Sequence, residues 1–352
     1  MGRLVVAGAG MAGLVAAVRA RELGAEVVVQ EKGERPGGSM LLSSGVLWRY
    51  RDWETFRDEC PGGDPALQRV VWEGLDEALE WLRSLDVPVV DEKTGNPRTT
   101  GLRFDPGGLT EALARRAGEI RLGRPLEEVP PEPTILATGG FQGDRELVRR
   151  YITPEADQLV VRANPWSSGD GLRLALGRGA VVSAGLDEFY GRNLAAAPAV
   201  DPEDFVPLAQ VYARHAVVEN ARGERYEART WSEIDVVQWT ARQPAARAWY
   251  VVPDEALGEM VRERTVFEVI ELAERRGASV ERRDGVTRVE VVAGITTTLG
   301  GIRVDERARA VDGLWAAGAD VGGISTGGWS SALGAALVLG RIAAEDALGW
   351  GP

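Results

Sequence analysis

The sequence predicts an α/β protein: a largely parallel sheet with helices packed on it, interrupted by an inserted α+β region. Three observations carry this reading. Apolar runs of strand length at residues 4–7, 27–29, 134–137 and 314–317 each lead into a glycine turn or an acid. Small-residue helical stretches follow glycine pairs at 8–17, 169–176 and 327–347. Between about 185 and 292 the character changes to many aromatics and charges with no turn of the first kind, as expected of a separate inserted domain.

In chain order, Leu4-Val5-Val6-Ala7 reads as a buried strand feeding Gly8-Ala9-Gly10-Met11-Ala12-Gly13, a Gly-x-Gly-x-x-Gly turn. Gly8 permits the tight turn, Gly10 lets backbone approach a pyrophosphate, and Gly13 lets helix and strand pack closely. Met11 and Ala12 open a helix whose free N–H groups and dipole favour phosphate. Ala17 packs that helix and Gly24 ends it. Residues 27–31 form a second strand ending in Glu31, 18 residues beyond Gly13, where a carboxylate can accept hydrogen bonds from a ribose hydroxyl pair. A polar loop, Lys32 to Ser39, carries Gly37 and Gly38 for close backbone approach to a ligand.

Val70, Val71, Leu75, Leu79 and Leu82 recur at helical spacing, so residues 50–85 read as helices. A short helix is expected over 107–117, a brief strand at 120–122, and a proline-rich connector over 125–133. Residues 134–140 read as a buried strand running into Gly139-Gly140, and Gly169-Asp170-Gly171 starts another helix. Within the inserted region the sequence predicts a strand over 210–218 and a long helix around 255–276. Residues 296–301 and 314–320 return to the first sheet, and a helix over 332–347 follows. The domain reading is therefore 1–185 with 293–352, and 186–292 inserted.

The 352 residues suffice for one large or two medium cores. A net charge of −12 argues against a nucleic-acid-binding face, which needs basic residues to neutralise phosphates. Cys60 and His215 are each the sole residue of their type, so an internal disulfide is excluded and no metal site is expected. No run approaches a membrane span, and the first apolar stretch, broken by its glycines, reads as a strand rather than a leader; the expected compartment is the cytoplasm.

Five separated segments together resemble one family. They are the Gly8–Gly13 turn, Gly37-Gly38-Ser39 with Ser43-Ser44-Gly45, Ala137-Thr138-Gly139-Gly140-Phe141, Gly169-Asp170-Gly171, and the stretch from Thr297 to Ala344. The chain is similar to the flavoproteins that include fumarate reductases, succinate dehydrogenase flavoprotein subunits, 3-ketosteroid dehydrogenases and tricarballylate dehydrogenases. The resemblance implies a Rossmann-type FAD-binding domain with a capping domain closing over the flavin ring. It implies Glu31 on the adenosine ribose and Gly8, Gly10, Met11, Ala12 and Gly13 at the pyrophosphate. Lys32, Gly38 and Ser39 would line the pyrophosphate and ribityl side, and Ser43, Ser44 and Gly45 would approach the ring. Ala137, Thr138 and Gly139 would lie beside the adenosine half with Asp170 near them. Gly318 and Asp320 would sit by the ribityl chain, and Leu126 would offer its backbone to adenine. Ser331, Ala332 and Leu333 would aim helix N–H groups at the pyrimidine edge, where reduction places negative charge.

The chain also departs from that pattern. Ala319 follows Gly318 where family members carry Glu, and the segment from Ile120 to Thr134 is short. No histidine lies near Gly38-Ser39, so the FAD should be non-covalent. Where fumarate reductases clamp a dicarboxylate with Arg and His, residues 322–329 offer Ser325, Thr326 and Trp329, which points to a flatter or more apolar substrate. Residues 38–48 look more like the ketosteroid and tricarballylate branches. The implied activity is dehydrogenation or reduction of a carbon–carbon bond beside a carbonyl, by hydride exchange at flavin N5. Oxidation of an amine or hydroxy acid, and a flavin-binding non-enzyme with a degenerate cap, are the alternatives. His215, Arg229 and Tyr190 are the candidates for proton handling, and Trp329 and Arg192 for substrate contact. With no second nucleotide motif and no iron–sulfur spacing, electrons would leave to a small diffusible acceptor or a separate protein.

Overall fold

The computed structural model describes residues 2–228, 234–261 and 263–350, and the chain divides into two compact units. The first comprises 1–144, 163–188 and 297–352; the second comprises 145–162 and 189–296.

The first unit is built on a six-stranded sheet. Its central strand is β1, Arg3–Ala7, with β2, Glu26–Gln30, on one side and Thr134–Leu136 on the other; all three are parallel. Glu119–Arg121 extends the sheet beyond β2, and Leu314–Ala316 beyond Thr134–Leu136, again in parallel. The antiparallel strand Arg309–Val311 forms the far edge. The chain thus leaves β1 toward one side, returns through Thr134–Leu136 on the other, and creates a topological switch beside β1. In such sheets the crevice at the carboxyl ends of the strands takes the ligand.

Helix α1, Met11–Glu22, is buried along nearly its whole first three turns because it packs both on the sheet and against the C-terminal helix, Ala332–Ala347. That burial explains its alanine, valine and glycine content: small side chains let helices approach closely. Asp346 ties the C-terminal helix to the sheet edge, accepting from Trp315 Nε1 at 2.8 Å and from Arg309 Nη2 at 2.7 Å. Burial opposes its ionisation, yet these hydrogen bonds and the Arg309 and Arg307 charges hold the carboxyl below the usual carboxylate range.

The helical spacing over 50–85 resolves into Trp53–Glu59 and Pro65–Ser84, each begun by an aspartate cap. The sequence reading did not include a three-stranded antiparallel sheet, Val46–Tyr50, Thr99–Phe104 and Val89–Asp91, on which these helices sit.

The second unit is an antiparallel sheet in the order Val217–Glu219, Arg247–Pro253, Val286–Thr298, Val280–Arg283. Alternate residues Ala248, Tyr250 and Val252 point into a core with Val289 and Val291, which helix Val266–Arg275 covers with Val266, Val269 and Ile270. This unit begins earlier in the chain than the expected 186, because Val160–Val161 pairs in parallel with Gly294 and Ile295 of its longest strand. That strand also runs past the expected boundary at 292. The long helix expected over 255–276 is shorter: it starts after Thr265, whose hydroxyl accepts from Glu268 N–H while the Glu268 carboxylate accepts from Thr265 N–H. This capping box starts the helix at Val266, where periodicity alone would start it earlier in the chain. Residues 254–256 form a single turn, and Met260–Val261 pairs with Arg264–Thr265. Nor does the strand expected over 210–218 form whole; Ala213–His215 is a turn, and only Val217–Glu219 pairs.

Candidate functional site

Four loops converge at the carboxyl ends of the parallel strands. The first is the glycine turn after β1. A Cβ on Gly13 would collide with the Gly8 carbonyl oxygen, and one on Gly8, at φ +101°, with the Ala137 carbonyl. The protein's own packing therefore requires both glycines. Gly10 is different: its φ of −78° suits any residue, and a Cβ there would meet no atom within 4 Å. None of the described residues demands glycine at that position, so the space beside it is open to a ligand. Among the described residues, the N–H groups of Ala12 and Gly13 in the first turn of α1 have no protein acceptor. Free N–H groups at a helix start, with the dipole behind them, suit a pyrophosphate.

Glu31 follows β2. Its buried carboxylate accepts from Ala9 N–H and from Gly33 N–H, each at 2.6 Å, so one side chain fixes the glycine turn against the next loop. Two carboxylate oxygens offer about four acceptor positions, which leaves capacity for ribose hydroxyls. The backbones of the two loops also join directly, Gly37 N–H donating to Ala9 O at 2.7 Å, and Gly38 packs beside the Gly10 Cα. Ser39 Oγ accepts from Asn164 N–H at 3.1 Å. Lys32 Nζ reaches Ser168 Oγ at 2.6 Å and Asp170 Oδ2 at 2.8 Å, so this cation is held by the 168–170 turn at the edge of the site.

The third and fourth loops are 137–140 and 317–320, joined by Asp320. Its fully buried carboxylate accepts from Thr138 N–H, Thr138 Oγ1 and Gly140 N–H. Burial pushes this carboxyl above the usual carboxylate range, against the pull of those donors. The side chain thus clasps two loops, while Gly318 lets its loop lie against Ala12 of α1. Thr138 Oγ1 in turn accepts from Gly171 N–H at 3.0 Å, drawing the helix Asp170–Gly177 into the same cluster.

The C-terminal helix begins at Ser331, whose Oγ accepts from Gly334 N–H at 3.0 Å and Trp48 N–H at 3.3 Å. The first intrahelical bond is made by Ala335, so the N–H groups of Ala332 and Leu333 have no acceptor among the described residues. This is a second set of free helix-start donors within the same unit.

Ser43, Ser44 and Gly45 form a turn in which Ser43 Oγ donates to Met40 O and accepts from Gly45 N–H, with Ser44 exposed. Leu126 is half-buried between Glu119–Arg121 and Thr134–Leu136. Trp329 is half-buried, and its carbonyl accepts from Tyr50 Oη at 2.7 Å. The remaining candidates belong to the second unit. Tyr190 and Arg192 lie on Phe189–Ala195 with the guanidinium 5.4 Å from the Tyr190 ring centroid, and His215 ends the Ala213–His215 turn. Arg229 lies outside the described residues.

Sequence reasoning missed Asn164 and Trp166, which brace the ligand loops: Asn164 Oδ1 accepts from Trp166 N–H, and the Trp166 ring lies over Gly33. The Asn164-Pro165 pair just before Gly169-Asp170-Gly171 was the available turn signal. It also missed Gln68 and Tyr50, whose importance depends on partners more than 250 residues away.

The residues present fit a dinucleotide: open space at Gly10, unclaimed donors at two helix starts, and an acid with spare acceptor capacity at the ribose position. The comparisons agree. The model of the FAD binding domain family matches residues 3–126 and 131–332. The chain is 22% identical over 447 aligned residues to the fumarate reductase (cytochrome) of Shewanella frigidimarina, covering 98% of this chain and 76% of that one. It is 37% identical over 214 residues to the urocanate reductase of Eggerthella lenta, covering 45% of this chain and 34% of that one. The fold resembles 3-ketosteroid delta1-dehydrogenase from Sterolibacterium denitrificans, with a TM-score of 0.72 at 15% identity and 99% of each chain covered. The chain therefore belongs to the FAD binding domain family and is an FAD-dependent oxidoreductase related to the fumarate reductases.

Proposed function

We propose that this chain holds FAD non-covalently and uses it to desaturate or reduce a carbon–carbon bond beside a carbonyl in a substrate lacking paired carboxylates. One observation carries the substrate side of this reading. Residues 322–331, which lead into the helix at Ala332, contain no ionisable side chain. The Glu188 carboxylate accepts from Gly327 N–H at 2.7 Å. A site for two carboxylates needs guanidinium or imidazolium donors, and hydroxyls with an indole suit a neutral, flatter molecule. Fumarate and urocanate, named for two relatives, share a carbon–carbon double bond conjugated to a carbonyl carbon.

Bound FAD supplies hydride exchange. Glu31 and the first turn of α1 would hold its adenosine diphosphate part. The Ala332 and Leu333 N–H groups would stabilise negative charge at the pyrimidine edge. A protein group must also take or give a proton beside the carbonyl, and His215, Tyr190 and Arg229 are the candidates for it. Non-covalent binding is supported by the absence of histidine and cysteine from residues 31–45 and by the complete burial of Cys60. Burial also pushes that thiol far above its ordinary range, so it stays unreactive.

The test is anaerobic mixing of the FAD-loaded chain with a neutral cyclic ketone and, separately, with succinate, followed by mixing of the reduced chain with the matching enone and with fumarate. Flavin bleaching by the ketone or reoxidation by the enone, with the dicarboxylates inert, is the expected pattern. Turnover of the dicarboxylates alone would overturn the substrate assignment. Acid precipitation should leave a yellow supernatant and a colourless pellet; a yellow pellet would contradict non-covalent binding.

A further inference from the structure

The turn before the C-terminal helix is held by a phenol from the three-stranded sheet. Tyr50, 2% exposed, donates its hydroxyl to the Trp329 carbonyl at 2.7 Å. Its ring meets the Trp48 ring edge-on, with centroids 5.3 Å apart. Trp48 in turn donates its N–H to the Ser331 cap at 3.3 Å. Two residues of one strand, Trp48 and Tyr50, therefore grip the turn on both sides of Ser330. The same turn is tightened from within, Ser325 Oγ lying 2.6 Å from Ser330 Oγ and accepting from Ser330 N–H at 3.2 Å. Below it, the fully buried Gln68 amide donates to Ile324 O at 2.7 Å and to Cys60 O at 3.0 Å.

A helix start can stabilise developing charge only if its donors stay where the charge appears, because electrostatic stabilisation depends on donors that need no reorganisation. Ser331 occupies the Gly334 donor and leaves those of Ala332 and Leu333 unclaimed, so the direction of these two depends on how the 329–331 backbone is fixed. We propose that Tyr50 is a positioning residue for the flavin: its hydroxyl, by fixing the Trp329 peptide, orients the Ala332 and Leu333 N–H groups and raises the flavin's reduction potential. This rests on the reading that the helix start faces the pyrimidine edge. Burial pushes the phenol far above its ordinary range, with the nearby Cys60 and Glu59 adding to the shift, so Tyr50 remains a neutral donor at all working pH values. No proton or electron passes through it; its effect is on geometry alone.

The experiment compares reduction potentials, FAD affinities and melting temperatures of the FAD-loaded wild type, Tyr50→Phe and Ala332→Pro. Proline is tolerated at the first helical position but removes one donor. Both variants are expected to lower the potential by the equivalent of at least tenfold in the reduction equilibrium, about 30 mV for a two-electron couple. FAD affinity should change less than the potential does. A Tyr50→Phe chain that melts lower at unchanged potential, while Ala332→Pro lowers it, overturns the positioning role and leaves the helix reading intact. Unchanged potential in both overturns the helix reading, and the proposal with it. If Tyr50→Phe does not retain FAD, amide exchange of its apo form decides. Faster exchange confined to 329–334 supports the proposal, and unchanged exchange there overturns it.

Discussion

Replacing Gly10 with alanine is expected to leave the apo chain folded and to cost about 100-fold in FAD affinity, roughly 2.8 kcal/mol. The expectation comes from a contrast within a single turn. Gly8 and Gly13 are glycines because a Cβ at either would run into backbone carbonyl oxygen. Gly10 has ordinary backbone angles, and a Cβ would enter open space. Its methyl group would stand where the pyrophosphate must approach the helix start, beside the free Ala12 and Gly13 donors. Glycine is a fair helix cap and alanine a poor one, so the apo chain should lose no more than about 1 kcal/mol. Gly13→Ala should behave in the opposite manner. The clash with Gly8 O forces helix and strand apart, an overpacking cost of about 1–3 kcal/mol or more that is present without any ligand. Flavin titration and melting of the two apo variants separate the cases. Equal FAD affinity in Gly10→Ala and wild type would mean that the glycine turn holds no phosphate.

Glu31→Gln should both destabilise the apo chain and weaken FAD, the first by about 1–3 kcal/mol. Both carboxylate oxygens already accept a backbone N–H at 2.6 Å, from Ala9 on one side and Gly33 on the other. An amide must turn its NH2 toward one of those donors, which loses a charge-assisted hydrogen bond and opposes two N–H groups in a buried place. The loop ends would drift, and the acceptors for a ribose diol would fall in number and charge. A further loss of about tenfold in FAD affinity, roughly 1.4 kcal/mol, should accompany the stability loss. Thermal melting of the apo chain and fluorescence titration with FAD measure the two effects. A variant that melts lower yet binds FAD with wild-type affinity would reduce Glu31 to a loop brace.

The ligand-binding half of this molecule could be read in the sequence because its signals are local. The glycine turn, Met11–Glu22, Glu26–Gln30 and the helix Ala332–Ala347 are each marked within a few residues by apolar runs, small side chains or a serine cap. What escaped depends on partners distant in the chain. Val46–Tyr50 becomes a strand by pairing with Thr99–Phe104, some 50 residues on. Asp320, expected near a ribityl chain, spends its carboxylate on Thr138 and Gly140, and Lys32 spends its charge on Asp170. Such partners arise only when loops from different strands meet. The helix over 255–276 failed for another reason: a strong apolar period hid the capping box at Thr265, a local signal overlooked.

The most direct measurement is titration of the apo chain with FAD, followed by flavin fluorescence and by thermal melting. One FAD should bind per chain, and the melting temperature should rise with ligand concentration, as binding to the folded state alone requires. A chain that stays colourless in excess FAD, with no change in melting, would contradict this expectation.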